Sequence, residues 1–418
     1  MCSLPKEFVD YTSQLFGAER WQRFVDSFNE PTPVSIRLNP YKVPDNSQFS
    51  ITNCQFAPVP WCRNGYWLSE RPQFTLDPLL HAGAYYVQEA GSMFLDEVLR
   101  QIKGYLPTGN GTVLDLCAAP GGKSTLLRAA LPEGWLLYSN EPDHRRANIL
   151  MENMQKQGHP DVIVTNNYPR DYKKTKMQFD LILTDVPCSG EGMFRRDQAT
   201  VSEWSLQNVH KCAQLQRSIV EEIWPCLRPG GLLIYSTCTF NLHEDEENVR
   251  WIAEELGAEI LPIEVNPDWH ITGSLLEDWN APVYRFIPGT TNSEGLFIAV
   301  LRKPAKDLNP SHQKSINKGL RILSDGHPQG VQKGKDIIPA HAEALSITLP
   351  TERYPMVELC LSDALSYLHR EAIILPPDAP RGYVVVTYQG HPLGFVKNIG
   401  SRANNLYPKE WAIKVLKG

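Results

Sequence analysis

Two cysteines lie where a thiol could do chemistry. Cys188 comes just beyond the apolar run FDLILTD, in DVPCSGEG, and Cys238 comes directly after GLLIYST, in STCTFNLHEDEENV. A lone cysteine is usually a small buried hydrophobe, but each of these follows a strand-like run and is flanked by polar or turn residues that expose it. Thiolates are strong nucleophiles. We therefore predict that Cys188, Cys238 and the neighbouring Asp185 line one crevice.

The other cysteines show no such pattern. The chain has 9 cysteines without a C-x-x-C pair or a histidine at metal spacing, so we expect no metal site and no disulfide framework. Scattered single thiols are typical of a reducing compartment. We find no signal-peptide pattern and no long apolar window, and we expect a cytoplasmic protein without a membrane helix.

A nucleotide-type loop precedes both cysteines. LDLCAAPGGKSTLL places a tight turn, residues 117–122, between the apolar strand TVLDL and a helix over residues 123–130. A phosphate-binding P-loop has the pattern G-x-x-x-x-G-K-[ST], and Cys117 occupies the position of its first glycine. This difference argues against a nucleoside triphosphatase.

Glu141 indicates what the loop binds instead. It ends the next strand, LLYSN, and lies 20 residues after Gly121. A glycine turn followed by an acid at this distance is typical of nucleoside sites, in which the carboxylate binds the ribose hydroxyls. A nicotinamide-dinucleotide site and an S-adenosylmethionine site both fit, although CAAPGG lacks the full G-x-G-x-x-G of the former.

The elements around these residues predict an α/β protein. Between residues 106 and 303, helices alternate with apolar runs, which predicts a doubly wound, mostly parallel Rossmann-like sheet; the runs are TVLDL, LLYSN, VIVTN, FDLILTD, GLLIYST and GLFIAVLRK. A small N-terminal subdomain over 1–105 precedes this domain. A basic linker over 304–340 and an α+β module over 341–418 follow it.

The charge distribution indicates a polyanionic partner. Residues 301–418 carry a net charge of +6 and residues 1–300 a net charge of −12. A basic module behind an acidic body suits nucleic acid. The candidate backbone contacts are Arg302, Lys303, Lys397, Arg402 and Lys409, and the pair Arg195 and Arg196 either touches phosphates or is simply exposed.

Two further features are interpreted structurally. The acidic run HEDEENV predicts the first turn of a helix over 244–256, in which the acids complement the helix dipole. Gln216 is expected to lie on a helix and to support the crevice.

The motifs together resemble a known family. LDLCAAPGGKS, DVPCSGEG and STCTFNLHEDEENV are similar to successive motifs of the Sun/Fmu family of RNA (cytosine-5)-methyltransferases, and SIRLNP and HAGAYYVQEAGSM are similar to its flanking signatures. PLGFVKNIGSRANNLYP resembles the PUA-like RNA-binding module at the end of RsmF-type ribosomal RNA enzymes. The resemblance covers nearly the whole chain and implies RNA binding by both terminal parts.

This resemblance implies a covalent mechanism. Carbon 5 of cytosine is a poor nucleophile until a thiolate adds to carbon 6. By the resemblance, Cys238 is the nucleophile, and Cys188 helps to remove the carbon 5 proton and to release the enzyme. Asp185 would hydrogen-bond the base at N3 and at its amino group, and Lys123 could increase the thiolate fraction of Cys238 if its ammonium reaches the crevice.

The implied cofactor is S-adenosylmethionine. Its amino-acid end would lie on the turn, Glu141 would bind its ribose, and Asp185 would lie near the transferred methyl group; the turn residues are Cys117, Ala118, Ala119, Pro120, Gly121, Gly122 and Lys123. Arg146 is either a cofactor contact or a solvated helix residue. Asn167 occupies the position where the family usually has an acid near the adenine.

The implied partner is 16S ribosomal RNA, either free or within the small ribosomal subunit, and we expect a monomer. Transfer RNA is an alternative substrate. A non-catalytic RNA-binding factor of ribosome assembly is an alternative from a different functional class, and the intact cysteine motifs argue against it.

Overall fold

The N-terminal part is a small sheet and a helical segment, broken at Gly17, that pack on the central domain. The computed structural model describes residues 4–43, 49–51, 54–305, 319–334 and 336–414. Its first helices are α1 (Lys6–Asp26), α2 (Pro78–His81) and α3 (Leu95–Gln101), and an antiparallel sheet is formed in the order β2-β3-β1-β4 by β1 (Val34–Leu38), β2 (Phe56–Pro58), β3 (Gly65–Leu68) and β4 (Tyr85–Val87). Phe8 of α1 packs edge-on against Phe194 of the central domain, with ring centroids 5.0 Å apart.

The central domain is built on a sheet of nine strands. The strands are β5 (Thr112–Asp115), β6 (Leu136–Asn140), β7 (Val162–Thr165), β8 (Phe179–Asp185), β9 (Leu227–Thr237), β10 (Glu259–Leu261), β11 (Val283–Phe286), β12 (Leu296–Arg302) and β13 (Ile322–Ser324). Their order is β10-β12-β9-β8-β5-β6-β7-β13, with β11 also on β12. Strands β7, β6, β5, β8 and β9 are parallel, which confirms the predicted α/β fold.

The strand order indicates where the ligand-binding crevice of the central sheet lies. The chain builds outward from β5 through β6 to β7, then returns to the other side of β5 with β8. In such sheets ligands bind beyond the carboxyl ends of the strands at this reversal. The loops after β5, β6, β8 and β9 are those that carry the predicted site residues.

Helices cover both faces of this sheet, and its strands are therefore almost continuously apolar. They are α4 (Gly122–Ala130), α5 (His144–Gln157), α6 (Pro169–Thr175), α7 (Gln198–Glu203), α8 (Leu206–Ile223) and α9 (Glu246–Glu255). The predicted turn and helix after β5 are confirmed, since α4 begins at Gly122. The side chain of Asp143 caps α5 by accepting from the Arg146 amide.

The helix predicted at the acidic run is present as α9, which begins at Glu246, two residues later than predicted, with acids in its first turn. The full burial of Glu244, Asp245 and Glu246 was not predicted. Asp245 and Glu246 form ion pairs with Arg285, which is buried on β11. The run could not reveal this partner because Arg285 lies about forty residues further along the chain.

The region predicted as a linker holds secondary structure in its described part. Strand β13 pairs antiparallel with β7, and β14 (Val331–Lys333) and β15 (Asp336–Ile338) form a hairpin. Addition of β13 satisfies backbone groups that an exposed edge of β7 would leave unpaired. Residues 306–318 lie outside the described residues.

The C-terminal part is the α+β module that the sequence predicts. It contains α10 (His341–Leu345) and α11 (Leu361–Leu368) and a sheet in the order β16-β17-β18-β19, formed by β16 (Met356–Glu358), β17 (Gly382–Tyr388), β18 (His391–Asn398) and β19 (Ala403–Asn405). The module contacts both other parts of the chain. The Ile347 amide donates to Gly158 O after α5 at 2.9 Å, and the Tyr407 hydroxyl lies 3.2 Å from His81 Nδ1. Within the described ranges, no helix has the length and apolar character that a membrane crossing requires.

Candidate active site

The two thiols meet at the carboxyl ends of β8 and β9. Cys188 Sγ lies 3.2 Å from Cys238 Sγ, and the Cys238 amide donates to Cys188 Sγ at 3.4 Å. Both cysteines are free and partly accessible. The hydrogen bond to Cys238, and then burial, raise the pKa of Cys188 well above its usual range. Cys188 therefore retains its proton at neutral pH.

Lys123 and Asp185 form an ion pair beside the thiols. Lys123 Nζ lies 2.8 Å from Asp185 Oδ2, and the Ser236 hydroxyl donates to Asp185 Oδ1 at 2.7 Å. Burial by itself would lower the pKa of Lys123, but the attraction of Asp185 and, more weakly, of Cys238 raises it. The side chain therefore keeps its positive charge in the crevice.

The glycine turn, Glu141 and Arg146 form one group. Gly121 adopts a φ of 119°, which only glycine adopts readily. Arg146 donates to Ala119 O of the turn at 2.9 Å, and its Nη1 lies 3.4 Å from Glu141 Oε2. The Asp143 amide donates to Glu141 Oε1, whereas Oε2 is buried without a hydrogen bond. That oxygen is an unsatisfied acceptor of the kind a ribose hydroxyl would fill.

Asp115 was not among the residues predicted from the sequence. It ends β5 directly before the turn and is fully buried. The Ser124 hydroxyl donates to its Oδ2 at 2.7 Å, while Oδ1 has no hydrogen-bond partner. Burial, partly offset by the Ser124 hydrogen bond, raises the pKa of Asp115 to about 7. An acid at the end of the strand before a glycine turn was the available signal.

Asn167 differs from its predicted role at the adenine. The side-chain Nδ2 of Asn167 donates to Arg321 O at 3.1 Å, and its Oδ1 accepts from the backbone amide of Arg321 at 2.9 Å. Both polar groups of the side chain therefore hold the segment that leads into β13. A largely apolar cavity of about 300 Å³ lies beside the turn instead, lined in part by Cys117, Pro142, Tyr168, Pro187 and Leu215.

Most of the basic side chains predicted to contact RNA are already engaged. Arg195 is almost buried and lies 3.0 Å from Glu294 Oε1, and Arg196 donates to Pro33 O, so Arg195 is neither a phosphate contact nor an exposed residue. Lys303 Nζ donates to Trp224 O and Leu227 O. The remaining candidates are Arg302, which lies over the Tyr105 ring, Lys397, which pairs with Asp336, and Arg402 and Lys409, which are exposed.

The Rossmann-like sheet and the site at its reversal point define a methyltransferase with a pair of cysteines at its candidate active centre. Three family models match consecutive parts of the chain: the N-terminal domain of 16S rRNA methyltransferase RsmF at residues 4–90, 16S rRNA methyltransferase RsmB/F at residues 105–302, and the methyltransferase RsmF PUA domain at residues 354–413. These matches confirm the resemblance to RsmB/F-type methyltransferases seen in the motifs.

Similar proteins extend over the full chain. The ribosomal RNA small subunit methyltransferase F of Aeromonas hydrophila is 28% identical, with 97% of each chain covered. That of Erwinia tasmaniensis is 29% identical, with 97% of this chain and 96% of the relative covered. Among solved structures, a methyltransferase homolog protein from Pyrococcus horikoshii is 27% identical with a TM-score of 0.59, over 72% of this chain and 96% of that one.

Proposed function

We propose that the protein transfers a methyl group from S-adenosylmethionine to carbon 5 of a cytosine in 16S ribosomal RNA. The observation that carries this proposal is the 3.2 Å contact between Cys188 Sγ and Cys238 Sγ at the reversal point of the sheet. Support for the RNA comes from the relatives, which are named as small-subunit ribosomal RNA methyltransferases. The reducing environment that free thiols need indicates a cytoplasmic location.

The described residues fit this cofactor. The turn over residues 117–123 would hold its amino-acid end, and Glu141 Oε2, which accepts no hydrogen bond from the protein, would accept one from a ribose hydroxyl. The apolar cavity beside the turn has room for a purine ring, and we infer that adenine would bind there and not at Asn167. When bound, S-adenosylmethionine supplies the electrophilic methyl group.

The geometry of the two thiols supports their separate roles. The hydrogen-bonding contact with Cys238, and then burial, favour the protonated form of Cys188, and we assign the attack on carbon 6 of cytosine to Cys238, acting as the thiolate. The new S–C6 bond makes carbon 5 enamine-like. It also takes the Cys238 sulfur out of its hydrogen bond with Cys188, so Cys188 can lose its proton to solvent and then take the proton from methylated carbon 5. Reformation of the C5–C6 double bond expels the Cys238 thiolate.

Asp185 and Lys123 would act on the base. The Asp185 carboxylate is held by Ser236 and Lys123. It would accept a hydrogen bond from the cytosine amino group and so fix the orientation of the N3 edge of the base. The Lys123 ammonium would stabilise negative charge on the neighbouring thiolate and on the adduct.

The covalent adduct tests the reaction. Purified Cys188→Ala, incubated with RNA and S-adenosylmethionine, should accumulate a protein–RNA adduct that resists denaturation, and Cys238→Ala should form none. Active methylation by Cys188→Ala without an adduct would overturn the assigned roles. Bisulfite sequencing of total RNA from cells with and without the gene should show one methylcytosine lost from 16S ribosomal RNA; a loss in transfer RNA would assign the alternative substrate.

A further inference from the structure

Two buried carboxylates lie near the thiols, and the proposed chemistry uses neither. Glu191 and Glu244 are 1% and 0% exposed. Neither forms an ion pair within the described part of the chain, because their neighbours are neutral donors. A buried carboxylate is costly unless hydrogen bonds compensate it, so the contacts that it makes indicate why it is retained.

Glu191 holds the loop that follows Cys238. Its Oε2 accepts from the Thr239 hydroxyl at 2.5 Å, from the Phe240 amide at 2.6 Å and from the Asn241 amide at 3.0 Å. Its Oε1 accepts from Trp204 Nε1 and from the Asn241 side chain. The side chain thus binds three successive residues directly after the proposed nucleophile through short hydrogen bonds.

Glu244 holds the loop of Cys188 in the same way. Its Oε2 accepts from the Ser189 amide at 3.0 Å and from Gln216 Nε2 at 2.7 Å. Gln216 Nε2 also donates to Pro187 O at 2.9 Å, in agreement with its predicted supporting role. The residues on both sides of Cys188 are therefore fixed by this one pair of side chains.

The side chain of Asn241 connects Glu191 to Glu244. Its Nδ2 lies 3.0 Å from Glu191 Oε1 and 2.8 Å from Glu244 Oε1. The Ser189 and Thr239 hydroxyls, each next to one of the cysteines, lie 3.1 Å apart. A cysteine side chain has a single χ angle, so its backbone and one rotamer set the position of its sulfur. The two carboxylates therefore control how far apart the sulfurs lie.

We propose that Glu191 and Glu244 are positioning residues that hold the Cys238 and Cys188 loops together, so that both sulfurs reach the same cytosine. The proposal rests on the proposed function for the roles of the thiols. Its structural part, the close approach of the two sulfurs, can be measured without RNA.

Glu191→Gln is the main test. Both oxygens of Glu191 accept hydrogen bonds. Glutamine replaces one of them with an NH2 group, which cannot accept, so the hydrogen bonds to that oxygen must break. We expect kcat for RNA methylation to fall about 100-fold, as for other small displacements of reacting groups, with the KM for S-adenosylmethionine within about twofold of wild type. Glu191→Asp keeps the charge and should recover part of the loss. Glu221→Gln, an exposed glutamate on α8, is the matched control and should change nothing.

Binding of phenylarsine oxide measures directly whether the two thiols lie close together. Its arsenic binds two neighbouring thiols with release of one water molecule, so wild type should bind one equivalent that Cys188→Ala lacks. Glu191→Gln should weaken this binding at least tenfold while its circular dichroism stays native. If Glu191→Gln does not fold, Thr239→Val and Glu244→Gln take its place, with the same loss expected in both measurements.

Folded variants with wild-type kcat and wild-type arsenical binding would overturn the proposal. Failure of the proposed function looks different, because wild type would then bind the arsenical normally while Cys188→Ala formed no RNA adduct.

Discussion

Lys123 Nζ lies 2.8 Å from Asp185 Oδ2, and this ion pair joins the first turn of α4 to the end of β8. It places the positive end of the cofactor turn beside the loop that carries Cys188. Because Asp185 raises the pKa of Lys123 in spite of burial, the ammonium remains charged where the reactive thiolate would form.

The first prediction concerns this ammonium. Lys123→Ala removes a positive charge near Cys238 and leaves Asp185 unpaired, and both changes disfavour a thiolate. We expect the pH profile of iodoacetamide labelling at Cys238, followed by mass spectrometry, to move to higher pH. Lys173→Ala, which removes an exposed lysine on α6, is the control. An unchanged profile for Lys123→Ala would refute the role of the ammonium.

The second prediction concerns the ribose. Glu141→Gln keeps the shape of the side chain but removes a charged acceptor, and hydrogen bonds to charged groups contribute about 1.5–3 kcal/mol. Calorimetric titration should therefore show affinity for S-adenosylmethionine reduced roughly 10- to 100-fold. The exposed Glu133→Gln should bind as wild type does. Equal affinities of Glu141→Gln and wild type would mean that this carboxylate does not hold the cofactor.

The third prediction concerns the buried Asp115. Its pKa is raised to about 7 in the folded chain, against about 3.9 when unfolded. The folded state therefore bears no penalty from this group below pH 4, and stability is lost as the pH rises through 7. We expect the Tm of Asp115→Asn without cofactor to rise relative to wild type between pH 5 and pH 8.

The exposed Asp378→Asn provides the comparison for that experiment. Its Tm difference from wild type should stay constant over the same range. A constant difference for Asp115→Asn as well would show that Asp115 is not a source of the pH dependence.

The fourth prediction separates exposed from engaged cations. Arg402 is exposed on the C-terminal module, whereas Lys303 donates to two carbonyls of the core. Arg402→Ala should weaken RNA binding and lower the slope of log K against log salt by about 0.7–0.9. Lys303→Ala should lower the Tm and leave the salt slope unchanged. The reverse pattern in filter-binding and thermal-unfolding measurements would exclude Arg402 as a phosphate contact.

The central sheet and the candidate site were accessible to sequence reasoning because their signals are local. Apolar runs of strand length alternate with helices, and in parallel sheets the residues just beyond such runs gather at one edge. Cys188, Cys238, Asp185, Glu141 and the turn could therefore be expected together, and the described geometry brings them to the same crevice.

The features that sequence reasoning missed depend on partners distant in the chain. The helix position of Glu246 was predicted, but its burial against Arg285 was not. Asn167 and Arg321 are 154 residues apart, and Arg195 meets Glu294 across 99 residues. No local pattern encodes such pairs, since the cost of burying one group is repaid by another that only folding brings near.

The sequence by itself therefore determined the class of chemistry, because the thiols, the acid and the glycine turn that this chemistry needs all follow strand-like runs that can be recognised locally. Tertiary structure alone decided which polar side chains were free to act. Buried polar groups need hydrogen-bond or ion-pair partners. For this reason the side chains of Asn167, Lys303 and Arg195 make contacts within the protein. The tertiary structure left Asp115 Oδ1 and Glu141 Oε2 without hydrogen bonds, and it set the two sulfurs 3.2 Å apart.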